Sequence, residues 1–363
     1  MTEVMTVASP AAGGGAREAH PGFEVYDPEF AGALGPAPRL ALVAETDAHE
    51  GPVYVPAEDV LYFTSLPGKA DVPAPGTPRA YIKRLALDGL NFPVDPSRLS
   101  VLPAPVHVPN GMALGHDGSL VVCEQGTWAE DARISRVDPR TGHVDSVVDR
   151  WRGLRLNSPN DVVVRSDGTI WFTDPGYGYL QGFRPEPQTG DYVYRYDPGP
   201  GRLSVVADGF DKPNGLAFSP DEQTLYITDS GANQEPGSYH VRRPHHIVAF
   251  DVQDGSHLGP GRLFAVTAPG FPDGIKVDRA GRVYTSSLTG VQVFSQAGDL
   301  LGQIRLPGAV NFTFGGPGGE VLFITTDSAI WAAVLNPAAG AGRRRDQQPG
   351  GDRRDHGRYE KGA

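Results

Sequence analysis

Asn160 to Asp174 reads NDVVVRSDGTIWFTD, and this stretch decides the fold. A polar start leads into a run of apolar residues, a Ser-Asp-Gly turn follows, and a second apolar run ends on Thr-Asp. Val162 and Val164 would share one face of a strand, as period-two alternation requires. The Asp-Gly pair supplies the tight link that a hairpin needs. The same grammar recurs five more times. The other copies are EGPVYVPAEDVLYFTS (Glu50–Ser65), NGMALGHDGSLVVCE (Asn110–Glu124), NGLAFSPDEQTLYITD (Asn214–Asp229), DGIKVDRAGRVYTSS (Asp273–Ser287) and NFTFGGPGGEVLFITT (Asn311–Thr326). Successive starts are 38 to 60 residues apart. A four-stranded propeller blade takes about 40–50 residues, so each interval holds one blade plus its loop. Weaker strand pairs fill the intervals, such as Ile134–Val137 with Val144–Val148 and Tyr192–Tyr196 with Leu203–Val206. The expected fold is all-β, a six-bladed β-propeller over residues 37–336. A sandwich of repeated hairpins is the competing architecture, and six alike units at blade length disfavour it.

Composition agrees with many short strands. The chain has 363 residues with 47 Gly and 34 Pro, residues that punctuate turns. Residues 1–36 read as a partly flexible leader or a wrap across one face. Residues 337–363, rich in Arg, Asp, Gly and Gln, read as a polar, flexible tail. The formal net charge of -11 speaks against nucleic acid and anionic membrane as partners. The single cysteine, Cys123, allows no intrachain disulfide, and in VVCE it reads as a buried small hydrophobe. Residues 1–15 lack a basic start and an apolar core, and no stretch approaches a membrane span of about 18 apolar residues. The sequence is therefore read as a cytoplasmic protein with no obligate protein partner evident.

The first position of each repeat carries the chemistry. In a propeller the innermost strands line the central channel, so equivalent positions converge on one ring. Here the ring is Glu50, Asn110, Asn160, Asn214, Asp273 and Asn311. Six oxygen-bearing side chains at one level are costly to bury without a partner. A hard cation resolves this, because Ca²⁺ takes 6–8 oxygen ligands. The chain has no H-E-x-x-H and no Cys-x-x-Cys, so softer metals are less favoured. Ca²⁺ is the first expectation, with Zn²⁺, Mg²⁺ and Mn²⁺ as alternatives. The plainer reading is that these Asn residues start strands or fill Asx-turns.

The same residues carry a family resemblance. LNSPNDVVVRSDGTIWFTDP (Leu156–Pro175), KPNGLAFSPD (Lys212–Asp221) and PDGIKVD (Pro272–Asp278) resemble the senescence marker protein / gluconolactonase / luciferin-regenerating enzyme family of calcium-dependent propellers. The likeness spans about residues 37–336, and HEGPVYVP (His49–Pro56) resembles its lactonohydrolase branch. The resemblance implies four metal ligands: Glu50, Asn160, Asn214 and Asp273. Asn110 and Asn311 then become lining residues, candidates to contact substrate. The chain also departs from the family. Animal members place a substrate-holding Arg two residues before the third-blade Asn, and here that place is Ser158, with Arg155 nearby. The run after Cys123 is EQGTWAED rather than basic.

What the resemblance implies is hydrolysis of a small lactone of the sugar or aldonic-acid type. A cation would polarise the lactone carbonyl and acidify a water. Asp273 is the candidate general base and Glu50 the second choice. Tyr177, in PGYGY, and Arg155 are candidate substrate contacts, with loop packing as the plain alternative. Gly176, Gly178 and Gly182 miss the dinucleotide-loop spacing, and no G-x-S-x-G elbow occurs. A non-catalytic calcium- or ligand-binding propeller and a related phosphotriester or aryl-ester hydrolase remain as alternatives.

Overall fold

The computed structural model describes residues 17–68 and 78–336. The 337–363 tail and residues 1–16 of the leader lie outside the described residues. Each hairpin read from sequence is the inner half of an antiparallel sheet, and six such sheets form the blades of a propeller. Blade 1 runs Glu50–Val55, Val60–Thr64, Ile82–Ala86 and Leu99–Val101 from the inside outward. Blade 2 runs Pro109–Leu114, Leu120–Glu124, Arg133–Val137 and Val144–Val148. Blade 3 uses Val162–Val164, Ile170–Asp174, Tyr192–Asp197 and Arg202–Ala207. Blade 4 uses Pro213–Phe218, Thr224–Asp229, His246–Gln253 and Arg262–Val266. Blade 5 uses Ile275–Val277, Val283–Ser287, Gly290–Phe294 and Leu300–Arg305.

Blade 6 closes the circle. Its inner three strands are Phe312–Gly315, Val321–Thr325 and Ala329–Val334, and its outermost is Arg39–Glu45, from before blade 1. The two ends of the propeller are thus sewn together by a sheet in register from Ala329↔Glu45 to Val334↔Arg39. Closure of this kind leaves no open edge at the seam. Residues 17–34 also join the fold. Phe23–Val25 pairs with Leu300–Arg305 and extends blade 5, and Arg17–His20 pairs outside it. Asp27 then caps the helix Pro28–Leu34 through Glu29 N–H, with Pro28 at its first turn.

The core lies between blades, so every junction has its own apolar cluster. Tyr62, Met112 and Val122 fill the junction of blades 1 and 2. Cys123, Phe172 and Tyr194 fill that of 2 and 3. Trp171, Leu216 and Ile227 join 3 to 4, and Ala217, Tyr226 and Phe294 join 4 to 5. Phe30 enters the cluster of blades 5 and 6 with Phe312, and Tyr54 and Phe323 join 6 to 1. The larger aliphatic and Phe side chains among them contribute about 1.5–3 kcal/mol each on burial. Cys123 is fully buried and free, and burial pushes its thiol well up, as a small core hydrophobe requires.

Candidate functional site

The ring positions stand where each inner strand starts. In blades 1, 2 and 4 the register slips at that point, between Glu50 and Val53, Pro109 and Met112, and Pro213 and Leu216. A bulge of this kind re-aims a side chain, here toward the channel mouth. In blades 1, 2, 4 and 5 a glycine follows the ring residue and lets neighbouring blades close up. A Cβ on Gly111 would stand 2.5 Å from the Asn160 carbonyl oxygen, and one on Gly215 would stand 2.4 Å from that of Asp273.

Two sets of hydrogen bonds then fix the ring. The first runs between blades. Thr64 Oγ1 donates to the Asn110 carbonyl (3.1 Å), Thr173 Oγ1 to that of Asn214 (2.7 Å) and Thr228 Oγ1 to that of Asp273 (3.0 Å). Blade 2 has Cys123 at this place, and the Asn160 carbonyl is served instead by Gly111 N–H (2.8 Å) and Asn110 Nδ2 (3.0 Å). The second set runs within blades. Asp174 accepts from the N–H groups of Asn157 and Ser158, and Asp229 accepts from those of Asp211 and Lys212. Glu124 accepts from His107 N–H while Arg133 neutralises it from the other side. Each carboxylate therefore grips its blade's approach segment three residues before the ring residue. Buried Arg184 adds to this in blade 3, donating to the carbonyls of Leu156 and Asn157. The threonines and acids that end the second strands are visible in the repeat. Their role is not, because it depends on which backbone groups the blades bring near.

The ring opens into a cavity of about 530 Å³, lined by Glu50, Asn110, Asn160, Asn214, Asp273 and Tyr177 together with His49 and Asp327. Asn311 stands behind Glu50 and does not line the cavity. Its Nδ2 donates to Glu50 Oε2 at 2.6 Å, and its Oδ1 accepts from Phe312 N–H and Lys276 Nζ. Arg155 is not among the lining residues; it lies on a short hairpin where its N–H donates to Gln188 Oε1. Tyr177 begins a one-turn helix, Tyr177–Leu180, in the segment read as a loop. Its hydroxyl is buried at the cavity wall near Asn214 and Ser230, with no well-formed hydrogen bond among the described residues. His49 and Asp327 escaped the sequence reading, although His49 precedes Glu50 in the HEGP motif.

Burial shapes the electrostatics. It pushes Glu50 up to about 8, assisted by the negative Asp273. Asp273 is pushed up to about 7 by burial and then by Asp327 and Asp161, against a hydrogen bond from Asn214. Asp161, beside Asn160, is raised by burial and drawn back by Lys276, 4.0 Å away. Two carboxylates thus share a site that resists their charge. Asn160 Oδ1 is buried and has no hydrogen-bond donor among the described residues. Among the described residues no group of three or more His, Cys, Asp or Glu is placed to hold a metal. A cation here would rest on amide oxygens as well as carboxylates. The donors at hand fit one: two acids with raised proton affinity, and an amide oxygen with nothing to accept.

No helix among the described residues is long and apolar enough to cross a membrane. Comparison with known proteins places the fold and the motifs together. The chain is 32% identical over 311 residues to the gluconolactonase of Zymomonas mobilis, covering 81% of this chain and 80% of that one. It is 30% identical to the lactonohydrolase oryL of Aspergillus oryzae, over 80% of this chain and 68% of the relative. A solved gluconolactonase structure from Xanthomonas campestris superposes with a TM-score of 0.69 at 35% identity, covering 90% of this chain and 99% of that one. Residues 48–328, which begin just before Glu50 and end just after Asp327, match the SMP-30/gluconolactonase/LRE-like family model, and the chain belongs to that family.

Proposed function

We propose that this propeller is a divalent-cation-dependent lactonase that opens the ring of a sugar or aldonic-acid-type lactone. The observation that carries the metal half of this reading is the orphaned Asn160 Oδ1, buried at a cavity wall shared with two carboxylates whose charge is disfavoured. The relatives named gluconolactonase and lactonohydrolase support the lactone half. Glu50, Asn160, Asn214 and Asp273 would hold the cation, and their all-oxygen donors suit Ca²⁺ first. Bound there, it would supply a Lewis acid for the lactone carbonyl and lower the pKa of water.

The chain's own residues do the rest. Asp273, on the cavity wall with its backbone held by Thr228 and Ser286, would accept a proton from the attacking water. Asn110 keeps its Oδ1 for the cavity while Nδ2 is held by the Asn160 carbonyl. The Tyr177 hydroxyl, kept protonated by burial, offers a donor to a substrate oxygen. The cavity, about 530 Å³, is wide enough for a small ring.

Proton release from gluconolactone and pantolactone in weak buffer, with and without chelator, tests the reading. Turnover that chelator abolishes and Ca²⁺ restores is the expected result. Chelator-sensitive melting without turnover of any lactone would identify a non-catalytic binding propeller instead.

A further inference from the structure

Opening a lactone needs an acid as well as a base, because the ring oxygen leaves as an alkoxide. The proposed ligands and base leave that role unfilled. His49 and Asp327 stand on the wall of the same cavity as Glu50 and Asp273. His49 Nδ1 meets Asp327 Oδ1 at 2.7 Å, which leaves Nε2 without a hydrogen-bond partner among the described residues. Both residues are pinned. The His49 N–H donates to the Thr64 carbonyl at 2.9 Å, and its own carbonyl accepts from Thr325 Oγ1 at 2.7 Å. Asp327 sits in the left-handed region at φ 62°, held there by its N–H donating to the Ala48 carbonyl at 2.8 Å. A strained residue kept in place by its surroundings, with its carboxylate orienting an imidazole, is a recurrent feature of reactive sites.

We propose that His49, oriented by Asp327, donates the proton to the departing ring oxygen; this rests on the lactonase reading. The water oxygen bonds to the carbonyl carbon and gives one proton to Asp273. The bond between that carbon and the ring oxygen breaks, and the oxygen takes the proton from Nε2. The open hydroxy acid leaves, and the Asp273 proton returns to the imidazole through solvent.

Leaving-group dependence tests the role. Two substrates are compared: δ-valerolactone, whose leaving group is an aliphatic alcohol, and dihydrocoumarin, whose leaving group is a phenol of pKa about 10. His49→Gln should lose about 10²-fold or more in kcat on δ-valerolactone, and less than about tenfold on dihydrocoumarin. Asp327→Asn should show the same selectivity with smaller losses. Calcium is kept saturating throughout, so that any change in affinity from charges lost near Glu50 and Asp273 does not enter kcat. Equal losses on the two substrates, or no loss on either, would overturn the proposal and leave the pair as a tie between blades 6 and 1. If His49→Gln fails to fold, Asp327→Asn decides alone, since Asp327 is half exposed and the same selectivity is required of it. A wild-type protein that opens neither lactone would overturn the lactonase reading and this role with it, an outcome distinct from unselective loss.

Discussion

Asn311 Nδ2 donates to Glu50 Oε2 at 2.6 Å, joining the last blade to the first directly beneath the cavity. The amide cannot turn over, because its Oδ1 is already engaged by Phe312 N–H and Lys276 Nζ. Glu50 Oε2 is also bonded to Gly51 N–H, so Oε1 is the oxygen left to face a ligand. Partners behind a ligand typically contribute about 10–100-fold to metal affinity. Asn311→Ala should therefore weaken Ca²⁺ binding about tenfold or more by calorimetry, with the fold retained by circular dichroism. Unchanged affinity would show that Asn311 does not orient Glu50.

The raised carboxyls set a pH dependence whose sign can be worked out. Glu50 is pushed to about 8 and Asp273 to about 7, whereas the unfolded chain titrates them near 4.5 and 3.8. Asp174, also raised to about 7 by burial, acts in the same direction. Between those limits the folded protein holds protons that the unfolded chain has lost. Stability of the metal-free protein then falls as pH rises. Melting in chelator should drop between about pH 5 and pH 8, and excess Ca²⁺ should offset the drop, because binding displaces the protons. A chelated melting temperature that is flat or rising across that window would contradict the assignment.

Asp174 tests whether the approach segment positions the ring. Its two oxygens take the N–H groups of Asn157 and Ser158, three and two residues before Asn160. Asp174→Ala would leave both buried donors unpaired, at about 1–3 kcal/mol each. A lower melting temperature and weaker Ca²⁺ binding together are expected. A stability loss with Ca²⁺ affinity intact would show that the clasp holds the blade but not the ligand.

The inner hairpins and the ring were legible because both repeat. Period-two alternation and a start on Asn, Asp or Glu mark them in every blade. The closing strand Arg39–Glu45 was not legible as part of blade 6, since pairing across some 290 residues leaves no local signal. Asn311 was read as a lining residue, yet the ring phase alone cannot say which side chains face the cavity and which stand behind it. His49 went unread for a related reason. Its partner Asp327 lies at the other end of the chain and meets it only once the circle has closed. Arg155 was singled out for closeness in sequence to Asn160, but it sits on the short hairpin Arg150–Trp151 with Leu154–Arg155 and is not among the residues that line the cavity.

The last prediction separates metal binding from proton transfer at Asp273. Its backbone is fixed by Thr228 at the carbonyl and by Ser286 Oγ at the N–H, so a change of side chain should not move the chain. Asp273→Asn keeps the shape and one oxygen donor but removes the charge and the basic site. Asn214→Ala removes an oxygen donor from the same ring and no base, while the Asn214 carbonyl remains anchored by Thr173. A general base contributes about 10²–10⁴-fold. Asp273→Asn should therefore lose most of its turnover even when saturating Ca²⁺ refills the ring. Asn214→Ala should lose Ca²⁺ affinity and recover much of its turnover as Ca²⁺ is raised. The two variants are compared by kcat at saturating lactone across a calcium titration. If excess Ca²⁺ brings Asp273→Asn close to wild-type kcat, Asp273 is a ligand only. The proton of the attacking water would then pass to Glu50, the other raised carboxyl on the same wall.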